Sequence, residues 1–500
     1  MGYLVGEVSM PAIAAKADTT EVVILDKTMV PLRPVARALG MHIEGVARPR
    51  WDLKDQWNKA SAFIHRVGRD MPTQDVQLAK EYAAFFQAYV RKFFKPLTAG
   101  YDFDFEKWLA STDYTESVKQ TLRDARKEKL DERDLRIKAF LKDEPVDGFK
   151  WPRNICGPTD ELKAFLGPII HAIDEAIYEH EAFIKHIPVA DRPAYLAAVF
   201  GDCPVAGGDY TSYESTVQGV HAENEFWLYS YMLGQQPNRE HILWALRGAI
   251  LCDTKAKAGG VKAKFFQRRK SGHHWTSSGN GIANLIMNLF ICARSRGVAS
   301  TKELLKLAAR IKIVVEGDDS LVACPWAVDV DLFKRLGANI KLDHYPHFSQ
   351  ASFCGIVSDV HTMQSLTNPL KALATMGWAT GNWVHAGEDK QRALLRAKAM
   401  SMLYQFPACP VVSLFARKAL DLTRGIDVRN VPGDMWERKL LREARLAKPW
   451  VLPPKEISMG SRFQVEESFG VSVETQFELE AAIRAMSALG PIRGVAHLFP

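Results

Sequence analysis

The sequence predicts an α+β protein with a sheet at its centre and helices around it, on three observations. Strand-like runs gather mid-chain, at residues 204 to 209, 311 to 324 and 351 to 357, while 3.6-residue periodicity dominates the flanks. Hydrophobic residues make up 47% and charged residues 25% of 500 positions. That is ordinary globular composition, with length for two to four domains or one large multi-lobed one.

The first fifty residues mix short strand-like pieces, such as Val22 to Leu25, with Pro and Arg. Residues 73 to 97 read as an aromatic helix ending in a basic turn. Residues 116 to 142 mix both charge signs, the pattern of an exposed helix. Helices are expected at 160 to 184 and 215 to 233, with the strand reaching Asp209 between them. Residues 279 to 296 place Ile282, Leu285, Ile286, Leu289 and Phe290 on one helical face. Beyond residue 380, helices at 387 to 405, 434 to 446 and 477 to 489 are expected, the last two separated by a Pro-rich break at 449 to 454.

Ile311 to Val315 and Ser320 to Cys324 form an apolar hairpin whose turn is Glu316-Gly317-Asp318-Asp319. Gly and Asp favour turns, so a plain turn is the competing reading. Adjacent carboxylates at a buried hairpin tip suit divalent cations better than they suit stability. With Asp209 they supply the hard oxygen ligands that Mg²⁺ prefers. Asp209 and Asp318 are the expected principal ligands, and Asp319 assists. Such a site serves nucleotidyl transfer, where two metal ions about 3.5–4 Å apart activate a 3′ hydroxyl and spread the charge on the reacting phosphate.

Ser271-Gly272 and Thr276 precede the predicted helix at 279 to 296, and Asn280 falls in its first turn. Capping of that helix by Ser277 or Ser278 is the leading competing reading of the segment. Thr276 and Asn280 also offer the donors and acceptors that recognise a ribose 2′ hydroxyl. Glu214, five residues past Asp209, is expected to hydrogen-bond Asn280. Lys142 and Arg153 are candidate triphosphate contacts, as point charge and planar fork. Residues 255 to 270 carry seven basic side chains and no acid. Within them Lys262, Lys264, Arg268, Arg269 and Lys270 are candidate RNA-phosphate contacts, against the plainer reading of a solvated loop. Net charge is +7, a mild bias toward polyanions.

Seven scattered cysteines without a CxxC pair suggest neither a zinc site nor a disulfide framework, and fit a reducing compartment. No signal-peptide pattern is seen, and no apolar run reaches the ~18 residues of a membrane span.

Taken in order, K-x-E with PRxI, D-x4-D/E, SGxxxTxxxN and GDD resemble the motifs of positive-strand RNA virus RNA-dependent RNA polymerases. Residues 66 to 97, the run from Pro152 to Tyr178 and Phe353-Cys354-Gly355 are most similar to the tombusvirus type, with nodavirus and flavivirus types next. The resemblance covers about residues 66 to 360. It implies a right-hand fold with fingers, a palm of antiparallel sheet plus helices, and a mainly helical thumb. The implied division is an N-terminal extension at 1 to 65, either a separate domain or a strap linking fingers to thumb, fingers at 66 to 200, palm at 201 to 220, a fingers insertion at 221 to 262, palm at 263 to 370, thumb at 371 to 454 and a tail at 455 to 500. It places Asp209, Asp318 and Asp319 at the metals, Mg²⁺ with Mn²⁺ as substitute. Lys142 and Arg153 fall at the triphosphate, and Ser271, Thr276, Asn280 and Glu214 around the ribose. Lys341 falls at a candidate proton donor to pyrophosphate, and Phe353-Cys354-Gly355 at a grip on the primer or product strand. The family usually has Asp where this chain has Glu214, so sugar selection is expected to differ.

Implied partners are RNA template and product, NTPs, and other viral replicase proteins that supply membrane attachment in the host cytoplasm. A reverse transcriptase-like polymerase is the rival enzyme, disfavoured because such enzymes usually carry Tyr-x-Asp-Asp. A non-catalytic RNA-binding scaffold is the rival of another class.

Overall fold

A computed structural model describes residues 3–5, 20–25, 33–146, 148–429, 431 and 435–499. Nine strands matter below: β1 (Thr20–Ile24), β2 (Ile137–Leu141), β3 (Asn154–Pro158), β4 (Val205–Tyr210), β5 (Asp253–Ala258), β6 (Val261–Phe266), β7 (Lys312–Glu316), β8 (Asp319–Ala323) and β9 (Ile340–Tyr345). They form two sheets. One is four-stranded and antiparallel throughout, in the order β7-β8-β4-β9. The other is five-stranded, in the order β1-β6-β5-β2-β3, with only β2 and β5 parallel. The chain is a mixed α+β protein.

The four-stranded sheet exists because β7 and β8 are apolar enough to be buried: Val314, Val315 and Leu321 are fully enclosed. A two-residue turn joins them, closed by the pair Glu316↔Asp319. Gly317 takes φ 60° there, suiting a turn with Gly at its first central position. Behind the hairpin runs helix α1 (Thr276–Arg294), buried along almost its whole length. Gly281 lets it approach: a Cβ there would stand 2.7 Å from the Phe183 ring, and 3.7 Å from the Gly317 nitrogen.

The N-terminal strands bind the chain together. β1 pairs with β6 in the five-stranded sheet. Pro34–Ala38 pairs with Trp378–Thr380, and Met41–Ile43 runs parallel to Gly490–Ile492. Leu39, Met41 and Ile43 share a core with Leu395, Leu403, Phe415 and Ile483 of the C-terminal helices.

Several expected elements differ. The helix at 215 to 233 is two pieces, Tyr213–Thr216 and Val220–Leu233. The Gln74 side chain enters the break, donating to the Gln218 carbonyl at 3.0 Å and accepting from the Val220 amide at 3.1 Å. The charged stretch at 116 to 142 is helical only over Glu116–Asp124. Its end is β2, where alternation buries Ile137, Ala139 and Leu141. The expected helix at 477 to 489 runs instead over Val473–Arg484, capped by Ser472. The strand at 351 to 357 is a tight turn: Phe353 and Ile356 exchange backbone hydrogen bonds of 2.9 and 3.0 Å, with Cys354 and Gly355 at φ 54° and 74°. Positive φ at both central positions is the hairpin-turn geometry that Gly eases at only one of them here.

Candidate active site

The register Ser320↔Gly208 brings Asp209 and Asp319 to the same end of adjacent strands. Asp318 sits beside them in the turn. All three residues reach water, and Asp318 and Asp319 are also hemmed in by protein. Crowding raises the proton affinity of Asp318 and Asp319. Partial burial, then the Asp318 charge, with Asp209 and Glu316 adding, pushes Asp319 up to about 6. Asp318 is also raised, by burial first and then by Glu214 and Asp209, while Arg153 opposes. The residues at 209 and 318, 109 positions apart in sequence, therefore feel each other's charge.

A buried amide holds this corner together. Asn284, on α1, donates from Nδ2 to the carbonyls of Gly317 at 3.2 Å and Asp319 at 3.1 Å, the two residues flanking Asp318. Its Oδ1 accepts from the Tyr210 hydroxyl at 3.0 Å, and Tyr210 adjoins Asp209. Asn288 donates to the same Oδ1 at 2.7 Å. One fully buried side chain thus links the strand carrying Asp209 to the turn carrying Asp318. Sequence reading missed Asn284, although it lies one helical turn beyond Asn280, on the same face.

Arg153 forks onto Glu144, and feels the charges of Glu214 and Asp318 as well. Lys142 also reaches Glu144, at 3.2 Å, and stays half exposed. Glu214 does not bond Asn280. It pairs with Arg66 at 2.9 Å, a cation outside the expected set. Asn280 is buried, and its Oδ1 has no partner among the described residues. The Ser271 and Thr276 hydroxyls are turned to the main chain. Ser271 donates to the Asn154 carbonyl at 2.9 Å, and Thr276 to those of Lys270 at 3.1 Å and His273 at 2.9 Å, while the helix starts without a side-chain cap.

Lys341 stands opposite Asp209 in register, but its exposed ammonium pairs with Asp343 at 2.7 Å. Phe353 is core, packed with Phe348, Leu321 and Val314, so it offers no surface to a nucleic acid strand. Cys354, at the turn tip, lies close enough to Asp319 that burial and the carboxylate together push its thiol up.

The basic segment divides. Lys262 and Lys264 project from β6 into solvent. Arg268, Arg269 and Lys270 are buried, which corrects their reading as phosphate contacts. Arg268 donates to the Val67 carbonyl at 3.0 Å. Arg269 donates to Glu225 at 2.7 Å, and the Trp275 ring N–H reaches the same oxygen at 2.7 Å. Lys270 is pushed down to about 8, because burial disfavours its charge.

Among the described residues no three His, Cys, Asp or Glu side chains stand close enough to form a ready metal cage. The donor chemistry nevertheless fits a hard divalent ion. The carboxylates repel one another, and Arg153, the cation felt at Asp318, is itself shared with Glu144. A divalent cation would relieve that repulsion.

No protein-family model matches the chain. Among curated proteins it is similar to the RNA-directed RNA polymerase of Pariacoto virus, 22% identical over 302 residues. The alignment covers 59% of this chain and 30% of that protein's length. The chain therefore matches under a third of this relative.

Proposed function

We propose that this chain is a viral RNA-dependent RNA polymerase, joining NTPs to the 3′ end of RNA under template direction. One observation carries the reading: Asp209 and the distant pair Asp318-Asp319 meet at one end of a four-stranded antiparallel sheet. The similarity to a polymerase of Pariacoto virus supports it from a separate direction. In this reading the four-stranded sheet is a palm, the five-stranded sheet belongs to fingers, and the helices after residue 380 form a thumb.

Each residue then has a task. The three carboxylates hold two Mg²⁺, or Mn²⁺ in their place. Bound there, the ions lower the pKa of the 3′ hydroxyl and spread charge on the transferring phosphate. Arg153 and Lys142 face the triphosphate, where a guanidinium fork and a point charge both match phosphate oxygens. Leaving Glu144 for a phosphate costs Arg153 little, because it exchanges one anion for another. Asn280 offers its unpartnered Oδ1 to a ribose hydroxyl, since a buried acceptor without a donor is costly until one arrives. Asn284 fixes the spacing between Asp209 and the hairpin. Lys341, beside Asp209, is the candidate proton donor to pyrophosphate.

The same proposal includes RNA template and product as partners, and other viral replicase proteins that provide membrane attachment in the host cytoplasm. Among the described residues no helix is long and apolar enough to cross a membrane.

Primer extension by purified protein on an RNA template, with Mg²⁺ or Mn²⁺ and each nucleotide set in turn, tests the reading. Incorporation of NTPs that Asp318→Ala abolishes is expected. Preference for dNTPs indicates a reverse transcriptase, and RNA binding without incorporation indicates a scaffold.

A further inference from the structure

The two faces of the five-stranded sheet are unlike. One is buried: Ile137, Ala256, Val261 and Phe265 pack against Phe63 and Val67. Arg66, in that covering segment, reaches Glu214, so the carboxylate corner lies beyond the buried face. The opposite face is open. Strand alternation turns Lys138, Lys255, Lys257, Lys262 and Lys264 out to solvent together.

Register makes this face unusual. Lys255 stands directly opposite Lys264, and Lys257 opposite Lys262. In the same row, Lys138 of β2 is paired with Lys257. Like charges facing each other across strands destabilise a sheet, so stability does not explain the array. Lys138 is offset by Asp160 at 3.1 Å, and Lys264 by Asp253 at 2.8 Å. Among the described residues no carboxylate pairs with Lys255, Lys257 or Lys262. Phe140 and Phe266 stand on the same face, 57% and 43% exposed.

We propose that this open sheet face is a docking surface for single-stranded RNA, separate from the carboxylate corner. Its ammonium groups neutralise phosphates, and its two phenyl rings give bases a surface to stack on. The identity of the polyanion rests on the polymerase reading. An anionic membrane is the other class of partner that lysines attract. The interleaving of ammonium groups with rings, which takes up phosphates and bases together, favours RNA, and vesicle binding is the alternative outcome of the test.

The test compares the full chain with Lys255→Gln/Lys257→Gln/Lys262→Gln/Lys264→Gln. Binding of a labelled single-stranded RNA is followed by fluorescence anisotropy across a salt series. The slope of log K against log salt should fall by about 3, roughly 0.7 per lysine on a single strand, with affinity about tenfold weaker or more at moderate salt. The melting temperature should hold or rise as opposed charges are removed. If the quadruple variant does not fold, Lys255→Gln/Lys257→Gln should show half the change in slope. An unchanged slope and affinity overturns the proposal. So does a variant that binds RNA like the parent but no longer binds phosphatidylserine vesicles. The two readings separate cleanly. A parent that incorporates no nucleotide, while the lysine variant still loses RNA, sinks the polymerase reading and leaves the surface standing. A parent that polymerises beside a variant with intact RNA binding sinks only the surface.

Discussion

Two concentrations of charge lie close together in this protein, and they are built in opposite ways. Around Glu225 the charges are closed: the carboxylate is buried, and receives the Arg269 guanidinium and the Trp275 ring N–H. Around Asp318 they are open: three carboxylates reach water, Asp318 and Asp319 are raised in proton affinity by burial and by neighbouring carboxylates, and Arg153, the cation felt at Asp318, is taken up by Glu144. The two are physically tied, because the Arg269 amide donates to the Glu214 carbonyl at 2.9 Å. A buried charge that finds its counterion within the chain serves the fold. Crowded charges left open at a surface are held ready for something the chain does not contain.

That contrast predicts opposite outcomes for carboxylate removal. Asp318→Ala should lower nucleotide incorporation by roughly 10³-fold or more, because it removes charge stabilisation from the reacting centre. Its stability should stay within about 0.5 kcal/mol of the parent, or rise, since an accessible and repelled charge has gone. Parallel extension assays and urea unfolding check both halves, and a large loss of stability would break the comparison. Glu225→Ala should do the reverse to the fold, costing about 3–5 kcal/mol by stranding the Arg269 charge in the interior. Urea unfolding reads this directly. A Glu225→Ala protein as stable as the parent would mean that the closed cluster is not holding the fold.

How much of this was legible beforehand follows from the range of the interactions. The strand ending at Asp209, the carboxylate hairpin and the long helix behind it were readable because apolar periodicity and turn chemistry are local. The meeting of Asp209 with Asp318 and Asp319 at one sheet end was expected from motif order and from the apolar strands that carry them, while their role stays a proposal. What failed was burial of polar residues. Arg268, Arg269 and Lys270 looked like one basic patch with Lys262 and Lys264, but strand alternation ends at Phe266 and the chain then dives inward. The counterion of Arg269, Glu225, lies more than forty residues away, on the helix Val220–Leu233. Glu214 was assigned to Asn280 because both are near in motif order, while Arg66, its partner, is 148 residues upstream. Pairings of that kind are set by the fold, and periodicity carries no trace of them.

Asn284 stands between the two regimes, being buried like Glu225 yet serving the open corner. Asn284→Leu keeps the volume and removes the amide, leaving the Gly317 and Asp319 carbonyls without their donor. It should cost about 1–3 kcal/mol of stability. If it also spaces the carboxylates, the Mg²⁺ concentration for half-maximal incorporation should rise several-fold while the KM for NTP changes little. Tyr210→Phe, which removes only the hydroxyl that Asn284 accepts from, should shift the Mg²⁺ requirement in the same direction by less. A stability loss with no change in metal requirement would reduce Asn284 to a packing residue.

The smallest effect is also the sharpest on chemistry. Sequence order assigns sugar selection to Glu214 acting with Asn280. In the structure Glu214 is already satisfied by Arg66, whereas the Asn280 Oδ1 is buried without a donor. A satisfied carboxylate has little to gain from a ribose hydroxyl, and an orphaned amide oxygen has a hydrogen bond to gain. Asn280→Ala should therefore reduce the preference for NTP over dNTP by about tenfold, the worth of one neutral hydrogen bond near 1.4 kcal/mol. Glu214→Ala should change that ratio less, and act mainly on stability by leaving Arg66 unpaired. Single-nucleotide incorporation with matched NTP and dNTP gives both ratios. If Glu214→Ala moves selectivity more than Asn280→Ala does, the Arg66 pair must open when nucleotide binds, and the closed pairing seen here describes only the resting site.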